Sequence, residues 1–403
     1  MRLATITVFD SGITELQARQ QRMQDAQQRL TSGKRVERAS DDPTGAARAE
    51  RALSAIGRVD ANQRALEASR NGMTLAEGAL GDANEILQQI RETLVAAGNG
   101  TYSDAERNGL ANKIEGLRAQ LLSIANRADG GGGYLFSGQG AGNPPFLDTA
   151  TGVVYSGSSG QIQTGNLDNF PLTVDGRQTW EQARSGNGSF VTSALPNSIT
   201  AAPAKSWIDS GRVIDPAALT GDSYKISISG TGPTATYTVL DTTTGGVVKS
   251  GTYVPGKSLD FDGMSMTLTG TAADGDEFQV QPATSTLKVF DVLDNAVADL
   301  RKTNRTGTEV VQSNVLSLRD LDASMANLQN VRSQVGERLN NLDGTETRLA
   351  ALKQYNEAEK SAAEDLDMTR AISDFQNQQT GYEAALKAYA TVQRMSLFNY
   401  LNN

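Results

Sequence analysis

Apolar positions recur every seven residues through residues 44–97. Val59, Leu66, Met73, Leu80, Leu87 and Leu94 form one row. Ala55, Asn62, Ser69, Ala76, Ala83, Ile90 and Ala97 form a second, offset by alternating steps of four and three. That spacing is the seam of a left-handed coiled coil. Mostly bulky residues on one row face mostly small ones on the other, so a partner helix can pack close. No proline interrupts the stretch, and Gly57, Gly72, Gly78 and Gly81 cost only about 1 kcal/mol each against alanine. At ~1.5 Å per residue the helix would run about 80 Å. One narrow apolar stripe of that length needs partner helices to cover it.

The flanking pattern supplies them. Residues 13–30 read as a helix with a thin stripe: Leu16, Met23 and Leu30 repeat at seven, but the companion row of Ile13, Gln20 and Gln27 is mostly polar. Gly33 ends it. A basic cluster of Lys34, Arg35 and Arg38 leads into Ser40-Asp41-Asp42-Pro43, where Asp42 reads as an N-cap and Pro43 as the first helical residue. After the Asn99-Gly100 turn, Ser103 and Glu106 have capping-box spacing. A second heptad helix follows through Leu110, Ile114, Leu117, Leu121, Ile124 and Ala128, antiparallel to the first because the connection is short. Asp129 and the four glycines after it end that helix.

The pattern then changes period. Residues 224–228, 236–239 and 264–268 alternate apolar and polar with period two, and Gly245-Gly246, Asp262-Gly263 and Asp274-Gly275 predict hairpin turns between strands. Residues 134–190 carry only scattered strand signals, and residues 196–203 look like a joint. Helical spacing resumes with Phe290, Leu293, Val297 and Leu300. Beyond Gly307, Leu321, Leu328, Val335, Leu342 and Leu349 repeat at seven, with Leu318, Met325 and Leu339 in the second row. The last stretch places Met368, Phe375, Tyr382 and Tyr389 on one row and Ile372 and Leu386 on the other, interrupted by Gln379 and Gln393. It is as thin as the stripe at the other end.

The expected fold class is α+β and multidomain: long antiparallel heptad helices from both chain ends, with a mainly antiparallel β insertion in the middle. Residues 44–133 and 286–359 would form the helical core, 134–200 a β-rich extension, and 201–285 an antiparallel β module. Residues 1–43 and 360–403 bury too little apolar surface to offset the entropy of ordering. They are expected to be disordered in the isolated chain and to fold on assembly.

Composition narrows the function. The 403 residues include no cysteine and no histidine, which removes Cys and His nucleophile–base pairs and His or Cys zinc sites. No catalytic residue, cofactor or metal is assigned. Residues 1–130 hold 17 basic and 17 acidic side chains, and the whole chain carries a net charge of −9. There is no basic stripe to follow a phosphate backbone or an anionic bilayer, so neither nucleic acid nor membrane is expected as a partner. The apolar run at residues 3–9 stops at Asp10, too short for a cleavable signal or a membrane span.

The motifs Leu30-Thr31-Ser32-Gly33-Lys34-Arg35-Val36 and Ala39-Ser40-Asp41-Asp42-Pro43 resemble those of the bacterial flagellin family, and more narrowly its hook–filament junction members. So do the turn Ala97-Gly98-Asn99-Gly100-Thr101 with Asp104 and Arg107, and Tyr134-Leu135-Phe136-Ser137-Gly138 as a first strand after the helices; the Met1-Arg2-Leu3 start resembles that of the junction members rather than that of flagellin. Further matches are Phe261-Asp262-Gly263, Gly275-Asp276-Glu277-Phe278, residues 331–339 and Asp365-Leu366-Asp367-Met368. The ending Met395-Ser396-Leu397-Phe398-Asn399-Tyr400-Leu401 departs from the Gln-rich tail usual in flagellin.

The resemblance implies a structural, non-enzymatic protein secreted by the flagellar type III route to the extracellular flagellum. Its implied partners are hook-associated protein 1, flagellin, other copies of itself and an export chaperone on the C-terminal helix. The interface residues would be Leu16, Met23, Leu30, Met368, Ile372, Phe375, Tyr382, Leu386 and Tyr389.

Other readings stand beside these. Lys34, Arg35 and Arg38 with Ser40, Asp41, Asp42 and Pro43 form either inter-subunit salt bridges or a solvated loop with a helix cap. Flagellin, the bulk filament subunit, is the alternative within the family. A carbohydrate-acting or adhesive β module on a helical stalk, with Asp260 and Asp276 as its acids, is the alternative outside it. Asn99-Gly100-Thr101 is formally a glycosylation sequon and more simply a turn.

Overall fold

The computed structural model describes residues 2–140, 142–164 and 169–401, with side chains described from 10 to 392 within those limits. The Met1 start and the side chains of the 395–401 ending lie outside the described residues. The chain divides into two compact units, residues 1–64 with 345–403, and residues 65–344. Helices α2 (Pro43–Ala97) and α6 (Gly307–Glu364) contribute to both.

In the larger unit the α2 row predicted from spacing is the core. Leu66, Met73, Leu80, Leu87 and Leu94 are each sealed from solvent, as are Ser69, Ala76, Ala83, Ile90 and Ala97 of the small-residue row. On α6, Leu321, Leu328, Val335 and Leu342 are buried as well. Ion pairs fix the direction: Arg70 with Asp343 at 2.6 Å, Glu77 with Arg332 at 2.6 Å and Arg91 with Asp322 at 2.7 Å, one partner rising as the other falls. The two helices are therefore antiparallel. Pairs this exposed contribute about 0–1 kcal/mol each, so they set register more than stability. Helix α3 (Asp104–Ala125) opens on the expected capping box of Ser103 and Glu106 and packs on α5 (Val289–Arg301).

Residues 134–138 form no strand. Only isolated bridges occur there, Ala128 to Tyr134, Ser137 to Asp175 and Gly138 to Ser158. Gly138 sits at φ +63°, where a Cβ would fall 1.8 Å from the Ser158 carbonyl oxygen. The close backbone crossing, rather than strand pairing, explains that glycine. A hairpin of β1 (Phe146–Thr149) and β2 (Gly152–Tyr155) follows, then the short helix α4 (Gly176–Trp180). Trp180 packs edge-on to Phe136 and stacks on Phe290 with centroids 6.0 Å apart. Arg118 of α3 ties the hairpin down through Asp148 at 2.8 Å and reaches Asp294 of α5 at 2.5 Å.

The β module is two antiparallel sheets. β3 (Phe190–Leu195), β11 (Glu277–Pro282), β6 (Tyr224–Ser229), β7 (Thr236–Asp241) and β8 (Val247–Thr252) lie in that order in one. In the other, β10 (Met264–Gly270) pairs with β4 (Ser206–Ile208), β5 (Arg212–Val213) and β9 (Ser258–Phe261). Inward residues alternate as period two requires: Tyr224, Ile226 and Ile228 from one sheet and Met264, Met266 and Leu268 from the other close a shared core. Asp262-Gly263 is the tight turn expected, with φ of +42° and +76° at the two positions where a type I′ turn demands positive φ. Asp274-Gly275 is not a hairpin: it carries the chain from one sheet to the other, because β10 and β11 belong to different sheets. Strand β3 begins at the last residue of the stretch with scattered signals and lies within 134–200, the part expected as a separate extension. It gains its place from β11, across more than eighty residues, with Phe190 opposite Pro282 and Leu195 opposite Glu277.

Candidate assembly surface

The smaller unit pairs the two chain ends. Helix α1 (Arg2–Ser32) packs along α7 (Met368–Leu401). Gly12 lies against the Tyr389 ring, where a Cβ would stand 3.4 Å away, and Gly381 lies beside the Arg19 guanidinium. The pairing is thus antiparallel, with small residues at points of close approach. The structure divides the nine predicted interface residues into two sets. Leu16, Met23, Leu30, Phe375, Tyr382 and Tyr389 are half-buried. Met368, Ile372 and Leu386 are 45%, 46% and 42% exposed, joined on α7 by Val392 and on α1 by Ile13. None of the nine reaches the burial of the α2 row.

Two further apolar side chains of this unit, Leu352 and Tyr355 on α6, are exposed as well. Sequence spacing passed them over because they lie off the heptad row that Leu349 belongs to. Their own spacing of three, one shared helix face, is the signal that marks them.

Between α1 and α2 the basic cluster turns back on its own chain. The Arg35 guanidinium donates to the Ala363 carbonyl at 2.7 Å and to Asp42 at 3.0 Å. Lys34 reaches Glu364 at 3.5 Å. The backbones join too, with Arg35 N–H donating to the Glu364 carbonyl and Leu366 N–H to that of Gly33. The break between α1 and α2 is thereby fastened to the break between α6 and α7. Arg38 is exposed, and its charge acts on the neighbouring Asp41 carboxylate. Within one chain, then, Lys34 and Arg35 have intramolecular partners.

Asp41 accepts from the Arg38 and Glu37 amides at 2.9 and 3.2 Å, and Asp42 caps α2 by accepting from the Gly45 amide at 2.9 Å. The Arg38 amide holds the Asp41 carboxyl below its ordinary 3.8, and the Gly45 amide, with Arg35, does the same for Asp42. A carboxylate depressed in the folded state adds stability above its unfolded value and loses it as pH falls through the folded one. Acidification below 3.8 should therefore loosen this loop. In an NMR titration the Gly45 and Arg38 amide resonances should move in that range while the buried α2 row stays ordered. Unmoved amides down to about pH 2 would contradict the capping roles.

The two candidate acids of the β module are not a catalytic pair. Asp276 is fully buried, and its carboxylate accepts from Asn197 Nδ2 and from the amide and hydroxyl of Ser206. Asp260 on β9 is bonded to Ser258. Asn99 Oδ1 accepts from the amide and hydroxyl of Thr101, a self-contained turn. Among the described residues no group of three or more acidic side chains is arranged to hold a metal ion, and no helix is long and apolar enough to cross a membrane.

Comparison with known proteins bears on these termini directly. Residues 11–141 match the bacterial flagellin N-terminal helical region, and residues 318–401 match its C-terminal helical region. The chain belongs to the bacterial flagellin family. Residues 199–282 match the D2-like domain of flagellar hook-associated protein 1. Flagellar hook-associated protein 3 of Salmonella typhimurium is 26% identical over 411 residues, covering 99% of each chain. The crystal structure of the flagellar junction protein FlgL from Legionella pneumophila is 26% identical, covers 79% of this chain and all of that one, and superposes with a TM-score of 0.68. The flagellar filament 41 kDa core protein of Borreliella burgdorferi is 37% identical, but over 25% of this chain and 30% of its own length. This flagellin-family member is thus a flagellar structural protein, similar end to end to hook-associated protein 3.

Proposed function

We propose that the chain is the adapter at the hook–filament junction, joining hook-associated protein 1 on one side to flagellin on the other. The observation that carries this reading is the correspondence with hook-associated protein 3 along 99% of both chains, β module included. A bulk filament subunit would be expected to match flagellins with comparable continuity. The exposed apolar side chains of Met368, Ile372, Leu386 and Val392 on α7 support the reading physically: a single chain gains nothing from leaving them uncovered.

On this reading the chain leaves the cell by the flagellar type III route, with a chaperone covering α7 until delivery. The terminal segments become ordered when neighbouring copies cover those side chains, and Arg38 meets a carboxylate of an adjacent subunit. The mechanism is surface complementarity, with no chemical step.

Electron microscopy of the purified chain, alone and mixed with flagellin seeds and hook-associated protein 1, tests it. The expected result is no long filament from the chain alone, and short rings or caps where either partner is present. Indefinite elongation from seeds would make it a flagellin instead, and indifference to both partners would sink the adapter reading.

A further inference from the structure

Four Asn-Gly pairs occur in the chain, at 71–72, 99–100, 108–109 and 187–188. At such a pair the main chain can attack its own side chain: the glycine amide nitrogen, with no Cβ beside it, adds to the asparagine Cγ. The attack needs a nitrogen free to give up its proton and a side-chain amide free to leave. The fold withholds these from three of the pairs. Gly72 and Gly109 lie inside α2 and α3, where each N–H is committed to the carbonyl four residues back. Gly188 N–H donates to the Ser185 carbonyl. Asn187 is also pinned at both ends, its Oδ1 accepting from the Ser189 and Phe190 amides and its Nδ2 donating to the Ser210 and Gly211 carbonyls.

Asn99-Gly100 is the exception. The pair lies exposed in the turn between α2 and α3. Asn99 N–H donates to the Ala96 carbonyl and Tyr102 N–H to that of Asn99, which closes the turn on either side. Among the described residues the Gly100 N–H has no acceptor, and neither has Asn99 Nδ2. Asn99 Oδ1, by contrast, accepts from the Thr101 amide at 3.1 Å and from the Thr101 hydroxyl at 2.8 Å. When a nitrogen adds to Cγ, negative charge gathers on that oxygen, and donors already in place there lower the barrier.

We propose that Asn99 is a self-modification site of this chain, with Thr101 supplying the oxyanion donors. The Gly100 nitrogen bonds to Asn99 Cγ, its proton passes through water to Nδ2, and Nδ2 leaves as ammonia. The product is a succinimide ring. Water then opens the ring at either carbonyl, giving aspartate when the bond from Cγ to nitrogen breaks and isoaspartate when the main-chain carbonyl bond breaks. No oxidant, metal or enzyme enters, so the reaction stands apart from the adapter reading. Isoaspartate routes the main chain through Cβ and lengthens the turn. It does so where α2 ends so close to α6 that a Cβ on Gly98 would collide with the Asn314 side chain.

The full-length chain is held in mildly alkaline buffer and digested at intervals, and mass spectrometry follows the peptides that carry the four pairs. A methyltransferase specific for isoaspartate separates the two products. Asn99 should convert about a hundredfold faster than Asn71 and Asn108, which react only while their helices are open, and well ahead of Asn187. In denaturant the four sites should converge. Thr101→Val keeps the amide donor and removes only an exposed hydroxyl, so it should fold like the parent. It should slow conversion at Asn99 by about threefold to tenfold, the loss of one donor in a site open to water, and leave the other sites unchanged. Conversion at Asn99 no faster than at the other three pairs would overturn the proposal. So would aspartate as the sole product, which marks direct hydrolysis by water. A Thr101→Val chain that converts as fast as the parent, or faster, would overturn it as well, since the two bonds would then restrain the side chain rather than activate it.

Discussion

Replacing Ile372 and Leu386 together with glutamate should abolish assembly and leave the folded chain intact. Both side chains are more than two-fifths exposed on α7, so the folded monomer loses little, and surface changes of this kind stay within about 0.5 kcal/mol of the parent. In an assembly that covers them, each contributes about 1.5–3 kcal/mol. Losing both weakens each contact by about a hundredfold to ten-thousandfold, before the cost of burying two carboxylates is counted. Sedimentation and electron microscopy with flagellin seeds would measure the loss, and thermal unfolding would confirm the fold. Val247→Glu on β8, a still more exposed apolar position in the β module, should assemble normally. A double variant that still assembles like the parent would show that this row faces solvent in the finished structure.

That contrast turns on how differently the two heptad systems were legible. The α2 and α6 rows could be read from spacing because burial there is repetitive: every Leu66-to-Leu94 step returns to the same seam, and a seven-residue period records it. The terminal rows have the same period and a different fate. Spacing alone could not tell that Phe375, Tyr382 and Tyr389 would be half-buried while Ile372 and Leu386 stayed open, since that depends on which side α1 occupies. The basic loop was legible as a cap at Asp42. Its attachment to Ala363 and Glu364 was not, because more than three hundred residues separate the partners.

The β module shows the same limit in another form. The inward alternation of Tyr224, Ile226 and Ile228 and the turn at Asp262-Gly263 are local properties and were read correctly. Strand β3 and the sheet-to-sheet passage at Asp274-Gly275 depend on which strands pair, and pairing over long separations leaves no periodic trace. Gln312 of α6 makes the point with one side chain. Its amide accepts from the Ile208 N–H at 2.9 Å and donates to the Ile208 carbonyl, standing in for a neighbouring strand at the end of β4. A single glutamine on a helix gives no hint of that task.

Asp276 is the residue on which the β module's joint depends, and Asp276→Ala should show it. Its two oxygens accept from Asn197 Nδ2 at 2.9 Å, the Lys205 amide at 3.0 Å, the Ser206 amide at 3.3 Å and the Ser206 hydroxyl at 3.0 Å. Alanine leaves those donors without an acceptor in a site closed to solvent, and each orphaned buried group costs about 1–3 kcal/mol unless water enters. Allowing for water, a loss of about 3–5 kcal/mol is expected, confined to the β module. Asp276→Asn should lose less, since one oxygen remains while the amide nitrogen meets donors it cannot satisfy. Denaturant unfolding followed by Tyr fluorescence would record the loss, and limited proteolysis should cut first within residues 197–206. Unchanged unfolding of Asp276→Ala would mean that the joint is held by the Asn197 backbone contacts alone, and that the buried carboxylate is structurally idle.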